Sequence, residues 1–191
     1  MSEWGKLFII GSLFRERYFT VSNIHQNRFP IRSINDRKSE YTMSNEAEYW
    51  TAPTDSAEHP GALIMVTGRR NVEKFRSNPR FKYRVTVIWP YDGGKSGMPD
   101  RTTAELMEQV NDAMERTFRK DPVAVITGIY TGDNRRDWVI YTTSLHIFQR
   151  KLNEILQPFE QLPLQFEAAE DPDWEEYQQM KEATEISDEE E

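Results

Sequence analysis

From Phe81 to Trp89 large apolar side chains fall on every second position. Phe81, Tyr83, Val85, Val87 and Trp89 share one side, and Lys82, Arg84 and Thr86 take the other. A period of two predicts a strand with one face in a core. Pro90 and the glycine-bearing run from Asp92 to Pro99 break the pattern. The period then lengthens: Leu106, Val110, Ala113, Met114, Thr117 and Phe118 recur at steps of three and four, and Thr102 with Glu105 has capping-box spacing, so a helix is expected. Asp121 and Pro122 end it. Val123, Val125 and Ile129 alternate with Ala124, Ile126 and Tyr130, a strand apolar on both sides as in a sheet interior. Gly132, Asp133 and Asn134 supply a tight turn, and the chain returns as a strand over about Arg136 to Thr142. Ser144 is the candidate N-cap of a second helix with the stripe Leu145, Phe148, Leu152, Ile155, Leu156 and Phe159, closed by Pro158. Leu162, Leu164 and Phe166 mark a further strand. Asp171 and Pro172 then read as N-cap and first residue of a short helix bearing Trp174 and Tyr177.

Between Phe81 and Ala168 the order is therefore strand, helix, strand, strand, helix, strand. This is the split βαβ order of a ferredoxin-like α+β fold, an antiparallel sheet with both helices on one face by the right-handed crossover rule. Upstream, a hairpin of Tyr18 to Val21 with Phe29 to Ile34 and a short strand Ala62 to Val66 are expected to extend the sheet. The apolar run Leu7 to Phe14 is interrupted by Gly11 and Ser12 and lacks a small-residue cleavage site, so it reads as a strand and not a signal peptide. Asn35 to Gly61, polar and carrying Pro53 and Pro60, reads as a loop. The expected organisation is one domain over 1–181, with a strand extension at 1–80, a core at 81–168 and a short helix at 172–181, followed by an acidic tail at 182–191.

Composition narrows the chemistry. The apolar share is 37%, yet 5 Trp, 8 Tyr and 10 Phe supply large side chains, so an aromatic-rich core is expected. The absence of cysteine removes disulfides and thiolate chemistry and fits a reducing, cytoplasmic setting. No stretch has the length of a membrane span. The net charge of −8 is unevenly spread: residues 160–191 hold 13 acids against Lys181 alone, which is −12, so the other 159 residues carry +4. Arg69, Arg70, Lys74, Arg76, Arg80, Lys82 and Arg84 form a basic run. That run has two readings, a surface for nucleic acid or a dock for the chain's own acidic C-terminus.

YFTV near Tyr18, YRVTVIWPY, GIYTGDNRRDWVIYT and DPDWEEY together resemble the bacterial domain of unknown function 695 family (DUF695), most firmly from Phe81 to Tyr177. The segment GDNRRDWVIYT, residues 132–142, is the most specific of them. The resemblance implies no defined chemistry. In some proteins similar domains sit beside a module resembling the regulator of ribonuclease activity B, an acidic inhibitor of ribonuclease E, and that neighbour implies a regulatory, protein-binding class.

The candidate binding residues are Arg135, Arg136, Asp137, Trp138, Trp174 and Tyr177. Adjacent strand residues point to opposite faces, so Arg136 and Asp137 must occupy different environments. Their charges either contact an anion or partner or fix the hairpin by internal pairing, and exposed pairs of that kind are worth little. Trp174 and Tyr177, three apart on one helix face, read first as anchors of that helix. Trp138 and Tyr141 fall on opposite faces and lack the pattern of an RNA-stacking platform. Gly93 to Gly97 departs from a Walker A loop: five positions before Gly94 stands Trp89, and Met98 and Pro99 follow the Lys95-Ser96 pair. His25, His59 and His146 have no partner at metal-ligand spacing. Glu170, Asp171, Asp173, Glu175 and Glu176 are interrupted by Pro172 and Trp174 where a calcium loop needs a glycine bend, and read as acids at a helix N-terminus.

The expectation is thus a cytoplasmic, non-enzymatic domain that binds another protein, with no cofactor and no metal, through the acidic C-terminus and the strand-turn charges. Two alternatives stand beside it. One is a small-ligand-binding domain or enzyme with a pocket under the 35–61 loop, where Tyr41, Tyr49, Trp50 and His59 are the residues to watch. The other is an RNA-binding regulator.

Overall fold

The structure is a computed structural model that describes residues 47–185. The expected hairpin at Tyr18 to Ile34 and the run Leu7 to Phe14 lie outside these residues. Among them are the strands β1 (Tyr49–Asp55), β2 (Leu63–Arg69), β3 (Tyr83–Pro90), β4 (Ala124–Gly132), β5 (Arg135–Thr142) and β6 (Gln165–Glu170). The helices are α1 (Glu73–Arg76), α2 (Arg101–Lys120), α3 (Leu145–Leu156) and α4 (Glu175–Thr184). The strands make one antiparallel sheet in the order β1-β2-β4-β5-β3-β6.

The sheet has a core on each side, as the doubly apolar β4 requires. On one face Val85, Val87, Trp89, Ala124, Ile126, Trp138 and Ile140 pack under Met107, Val110, Met114 and Phe118 of α2 and Phe148, Leu152, Ile155 and Leu156 of α3. On the other, Trp50, Ile64, Val66, Val125, Val139 and Tyr141 meet Phe75, Phe81, Trp174, Tyr177 and Met180. The expected pair of helices on one face is α2 with α3, while α4 and the α1 segment cover the opposite face. Phe81 changes sides relative to the expected alternation because it precedes β3 and packs with Phe75, ring centroids 5.3 Å apart.

Three local expectations need correction. A bulge between Ile126 and Gly128 inserts Thr127 opposite Val139, so Ile129 joins the α2 face with Ile126 and Tyr130 joins Val125. The cap of α2 is Asp100, whose carboxylate accepts the Thr103 N–H at 2.7 Å, and not the Thr102/Glu105 box. The N-cap position of α4 is Trp174, in the left-handed region at φ 59°, although the Asp171 carboxylate still accepts the N–H groups of Glu175 and Glu176 at 2.8 and 3.2 Å. That helix also runs on to Thr184, past the expected end at 181. Ser144 caps α3 as expected, through the Ile147 N–H.

The largest difference is β1, which lies within the segment read as a loop. Its residues alternate between exposed Tyr49, Thr51, Pro53 and Asp55 and more buried Trp50, Ala52 and Thr54. Only one of its faces meets a core, so its apolar signal is half that of an interior strand.

Candidate functional site

The turn between β4 and β5 consists of Asp133 and Asn134, both at positive φ (52° and 62°). This is the two-residue turn whose twist matches the flanking strands, and Asp and Asn tolerate it better than most side chains. It also gathers two neighbouring loops. Asn134 accepts the Gly93 N–H on its side-chain oxygen at 2.9 Å, donates its own N–H to Gly97 O at 2.9 Å, and accepts the Tyr91 N–H at 2.8 Å. Asp133 accepts the Ser56 hydroxyl on one carboxylate oxygen and holds His59 Nδ1 at 3.2 Å on the other. A hydroxyl, a carboxylate and an imidazole thus meet, but the carboxylate stands in the middle. His59 is not placed to take the Ser56 proton, so the set clasps two loops instead of activating a nucleophile. The glycine-bearing loop is equally structural: Asp100 already places a carboxylate at the α2 N-terminus, where a phosphate would have to sit.

Beyond the turn, alternation separates the charges. Arg136 turns under α2, donating to Glu108 Oε1 at 2.6 Å and to Thr131 Oγ1 at 2.9 Å, with its guanidinium 5.7 Å from the Trp138 ring centre. Asp137 goes to the other face and pairs with Arg135 at 2.9 Å. The expected aromatic candidates are interior groups with satisfied polar atoms. Trp138 donates to Asn111 Oδ1 at 3.2 Å, Trp174 to Phe81 O at 2.8 Å and Tyr177 to Arg69 O at 2.9 Å.

The pocket residues do not converge. Tyr41 lies outside the described residues, Tyr49 and Trp50 point to opposite faces of β1, and His59 sits at the far end of the β1–β2 hairpin. Trp50 is buried and donates to Thr184 Oγ1 at 2.8 Å.

Glu176, read from sequence only as one of several acids at a helix N-terminus, is the centre of a polar cluster under α4. It accepts from Arg84 Nη1 at 2.7 Å and from the Tyr130 hydroxyl at 3.5 Å. Burial pushes its carboxyl above the usual range, and Arg84 only partly offsets that. Beside it Asp171 accepts the Tyr141 hydroxyl at 2.5 Å, and Tyr141 stacks on Trp174 at 4.0 Å. Burial, reinforced by Asp171, drives the Tyr141 phenol far above its ordinary value. The cluster joins β3, β4 and β5 to the start of α4, and its chemistry is that of a fastening between α4 and the sheet.

The basic run meets the acidic end of the same chain, one of its two sequence readings. Arg84 pairs with Glu176, Lys82 with Glu170 at 3.2 Å and Arg70 with Glu185 at 2.6 Å, while Arg76 donates to Gln178 at 2.9 Å. Burial raises the Glu185 carboxyl, but Arg70 and Lys181 outweigh it and hold the group below its usual range.

The exposed large apolar side chains among the described residues are Tyr49, Leu63, Met65 and Leu145. Three of these four share one face of the β1–β2 ribbon. Leu63 and Met65 sit two apart on β2, opposite Asp55 and Pro53 of β1, and Tyr49 faces Arg69. The flank of α2 stands along this ledge: Glu115 accepts from the Tyr49 hydroxyl at 2.8 Å and from Arg69 at 3.4 Å, and Glu108 holds Arg136. None of the described helices lies over it. Two strands span about 10 Å, the width of one helix.

A model of the family of unknown function DUF695 matches residues 57–180. The chain belongs to that family. No curated protein and no solved structure matches it. The DUF695 match includes Leu63, Met65, the Asp133–Asn134 turn and Glu176, whereas β1 and the last turn of α4, with Thr184 and Glu185, fall outside it. It gives no support to the hint drawn from the neighbouring regulator of ribonuclease activity B module. Among the described residues of this DUF695 chain no group of three or more His, Asp or Glu is arranged to hold a metal ion, and no helix is long and apolar enough to cross a membrane.

Proposed function

We propose that this DUF695 protein is a non-enzymatic, cytoplasmic domain that binds another protein, with the ledge of Tyr49, Pro53, Leu63 and Met65 as its contact surface. The observation that carries this reading is the clustering of exposed apolar side chains on a ribbon face that α2 and α3 leave uncovered. The strand-turn charges are a weaker surface, because Arg136 and Asp137 are buried and paired within the chain. RNA binding is disfavoured by the same logic, since cations of the basic run are engaged by carboxylates of the same chain. The underlying architecture is best described as a ferredoxin-like unit, β3-α2-β4-β5-α3-β6, extended by β1 and β2. The order β4-β5-β3-β6, antiparallel throughout, supports that description.

The test is affinity capture with paired variants. Leu63→Thr with Met65→Thr strips the ledge of apolar surface, and Leu145→Ala removes the exposed leucine of α3. Partners lost with the first variant and kept with the second support the ledge. Partners kept by both, or lost by both, count against it.

A further inference from the structure

The β1–β2 ledge is walled on one side by α2. Along the stripe of that helix nearest the ribbon, residues at steps of three and four read Arg101, Glu105, Glu108, Asp112, Glu115 and Arg119, acids in the middle and a cation at each end. Hydrogen bonds fix this stripe against the strands. Glu108 accepts from Arg136, whose Nε donates to Thr131, and Thr131 pairs with Met65 in the sheet. Glu115, two turns further on, accepts from the Tyr49 hydroxyl and from Arg69 at the far end of β2. Asp112 stands between them on the same stripe and is exposed. The helix therefore runs beside the ledge from the level of Met65 to that of Tyr49.

The charge presented beside Leu63 and Met65 is acidic. Arg136 and Arg69 are paired with Glu108 and Glu115, and their side chains are only 10% and 12% exposed. Glu108, by contrast, is 59% exposed and gives Arg136 its Oε1 alone. Asp55, opposite Leu63, is exposed at the corner of the ribbon. The exposed cations of the stripe sit at its ends, Arg101 paired with Glu105 at 2.7 Å and Arg119 towards Tyr49.

We propose that the partner segment seated on the ledge is a basic amphipathic helix, with apolar side chains on Leu63, Met65 and Pro53 and a row of Lys or Arg along Glu108 and Asp112. The inference rests on the ledge being the contact surface and adds the chemistry of what it takes. Glu108 and Asp112 are one helical turn apart, about 6 Å, which matches cations four residues apart on a helix lying alongside. Apolar burial supplies the affinity, and the acids select the partner and its orientation. Anionic segments are repelled.

The probes are two fluorescent synthetic peptides of about four helical turns, one with leucine at helical spacing and lysine elsewhere, the other with glutamate for each lysine. Anisotropy follows their binding to the full chain and to the variants Leu63→Thr with Met65→Thr, Asp112→Lys, and Glu160→Lys. The last changes the net charge as much as Asp112→Lys does, but lies between α3 and β6, towards the other edge of the sheet. Expected is binding of the lysine peptide at least about tenfold tighter than of the glutamate peptide. Asp112→Lys weakens it about three- to tenfold, salt weakens it, the double variant abolishes it, and Glu160→Lys changes it less than about twofold. Equal losses in Asp112→Lys and Glu160→Lys, equal binding of the two peptides, or binding of neither overturns the proposal. So does a dimer of the full chain in sedimentation that the double variant dissociates, which would make a second copy the occupant. In affinity capture, partners lost with the double variant but kept by Asp112→Lys reject the basic helix and leave the ledge standing, whereas partners kept by the double variant remove the ledge itself.

Discussion

Gly68 of β2 and Gly128 of β4 face each other directly across the two strands, and the space that their side chains would take is filled from the α4 side. A Cβ on Gly68 would lie 2.0 Å from the Trp50 indole, and one on Gly128 would lie 2.5 Å from the Met180 sulfur. The glycines thus make a hollow in the sheet that seats the Trp50 ring and the inner side of α4.

The two hollows differ in what must move. Trp50 is buried and held by its hydrogen bond to Thr184, whereas Met180 offers the end of a flexible side chain. Gly68→Ala is expected to cost about 1–3 kcal/mol through overpacking, and Gly128→Ala distinctly less. Urea midpoints of the two variants check the ranking, and a larger loss for Gly128→Ala would reverse this view of the hollow.

Pro53 lies in β1 where its missing N–H does least harm. Arg70 donates to Glu48 O and Ser56 to Ala62 O, so even-numbered residues from 48 to 56 turn their backbone groups toward β2 and odd-numbered ones turn away. Pro53 therefore blunts the outward side of β1. Pro53→Thr restores a donor there and is expected to increase self-association in light scattering while leaving the thermal midpoint unchanged or higher. No change in apparent mass would show that this edge is protected by other means.

Asp171 serves one phenol and two helix N–H groups at once. Asp171→Ala leaves all three without that acceptor, so a loss of roughly 2–3 kcal/mol is expected in chemical denaturation. Tyr141→Phe, which removes a single bond, should cost less. Similar stability for both variants would mean that the cap is dispensable.

Burial raises the phenols under α4: Tyr177 is pushed up to about 12, with Glu73 and Glu185 adding to the effect, and Tyr130 and Tyr141 also rise. In the unfolded chain these groups ionise near pH 10. Between that value and their folded values the unfolded state releases protons that the folded state keeps, so stability is constant below the window and falls as pH rises through it. Tyrosinate absorbance should therefore appear together with unfolding. Ionisation of these phenols in a chain that stays folded would contradict their burial.

How much was legible depended on how local each signal was. Most elements from β3 to β6 were legible because a period of two holds over β3 and β5 and one of about 3.6 over α2 and α3, whereas β6 runs over Gln165–Glu170, later than Leu162 and Leu164 suggested; the opposite fates of Arg136 and Asp137 followed from adjacency alone. β1 was not, since Pro53 and its exposed polar side read as loop chemistry, and only β2 reveals its pairing. The side switch at Thr127 needs one inserted residue that leaves no mark on composition. Arg84, Tyr130 and Glu176 meet only through the strand order and the return of α4, which no window of sequence contains. Leu63 and Met65 read only as part of a short apolar strand, and their exposure depends on which helices the fold places above it.

Met65 provides the most direct test of the proposed contact surface, because its thioether lies on the ledge while those of Met107, Met114 and Met180 are buried. Oxidation footprinting compares the free protein with its complex with a captured partner. The ledge predicts rapid oxidation of Met65 in the free chain and strong protection in the complex, with the three buried methionines slow in both. Equal oxidation of Met65 in the two states would place the partner elsewhere and contradict the proposed function.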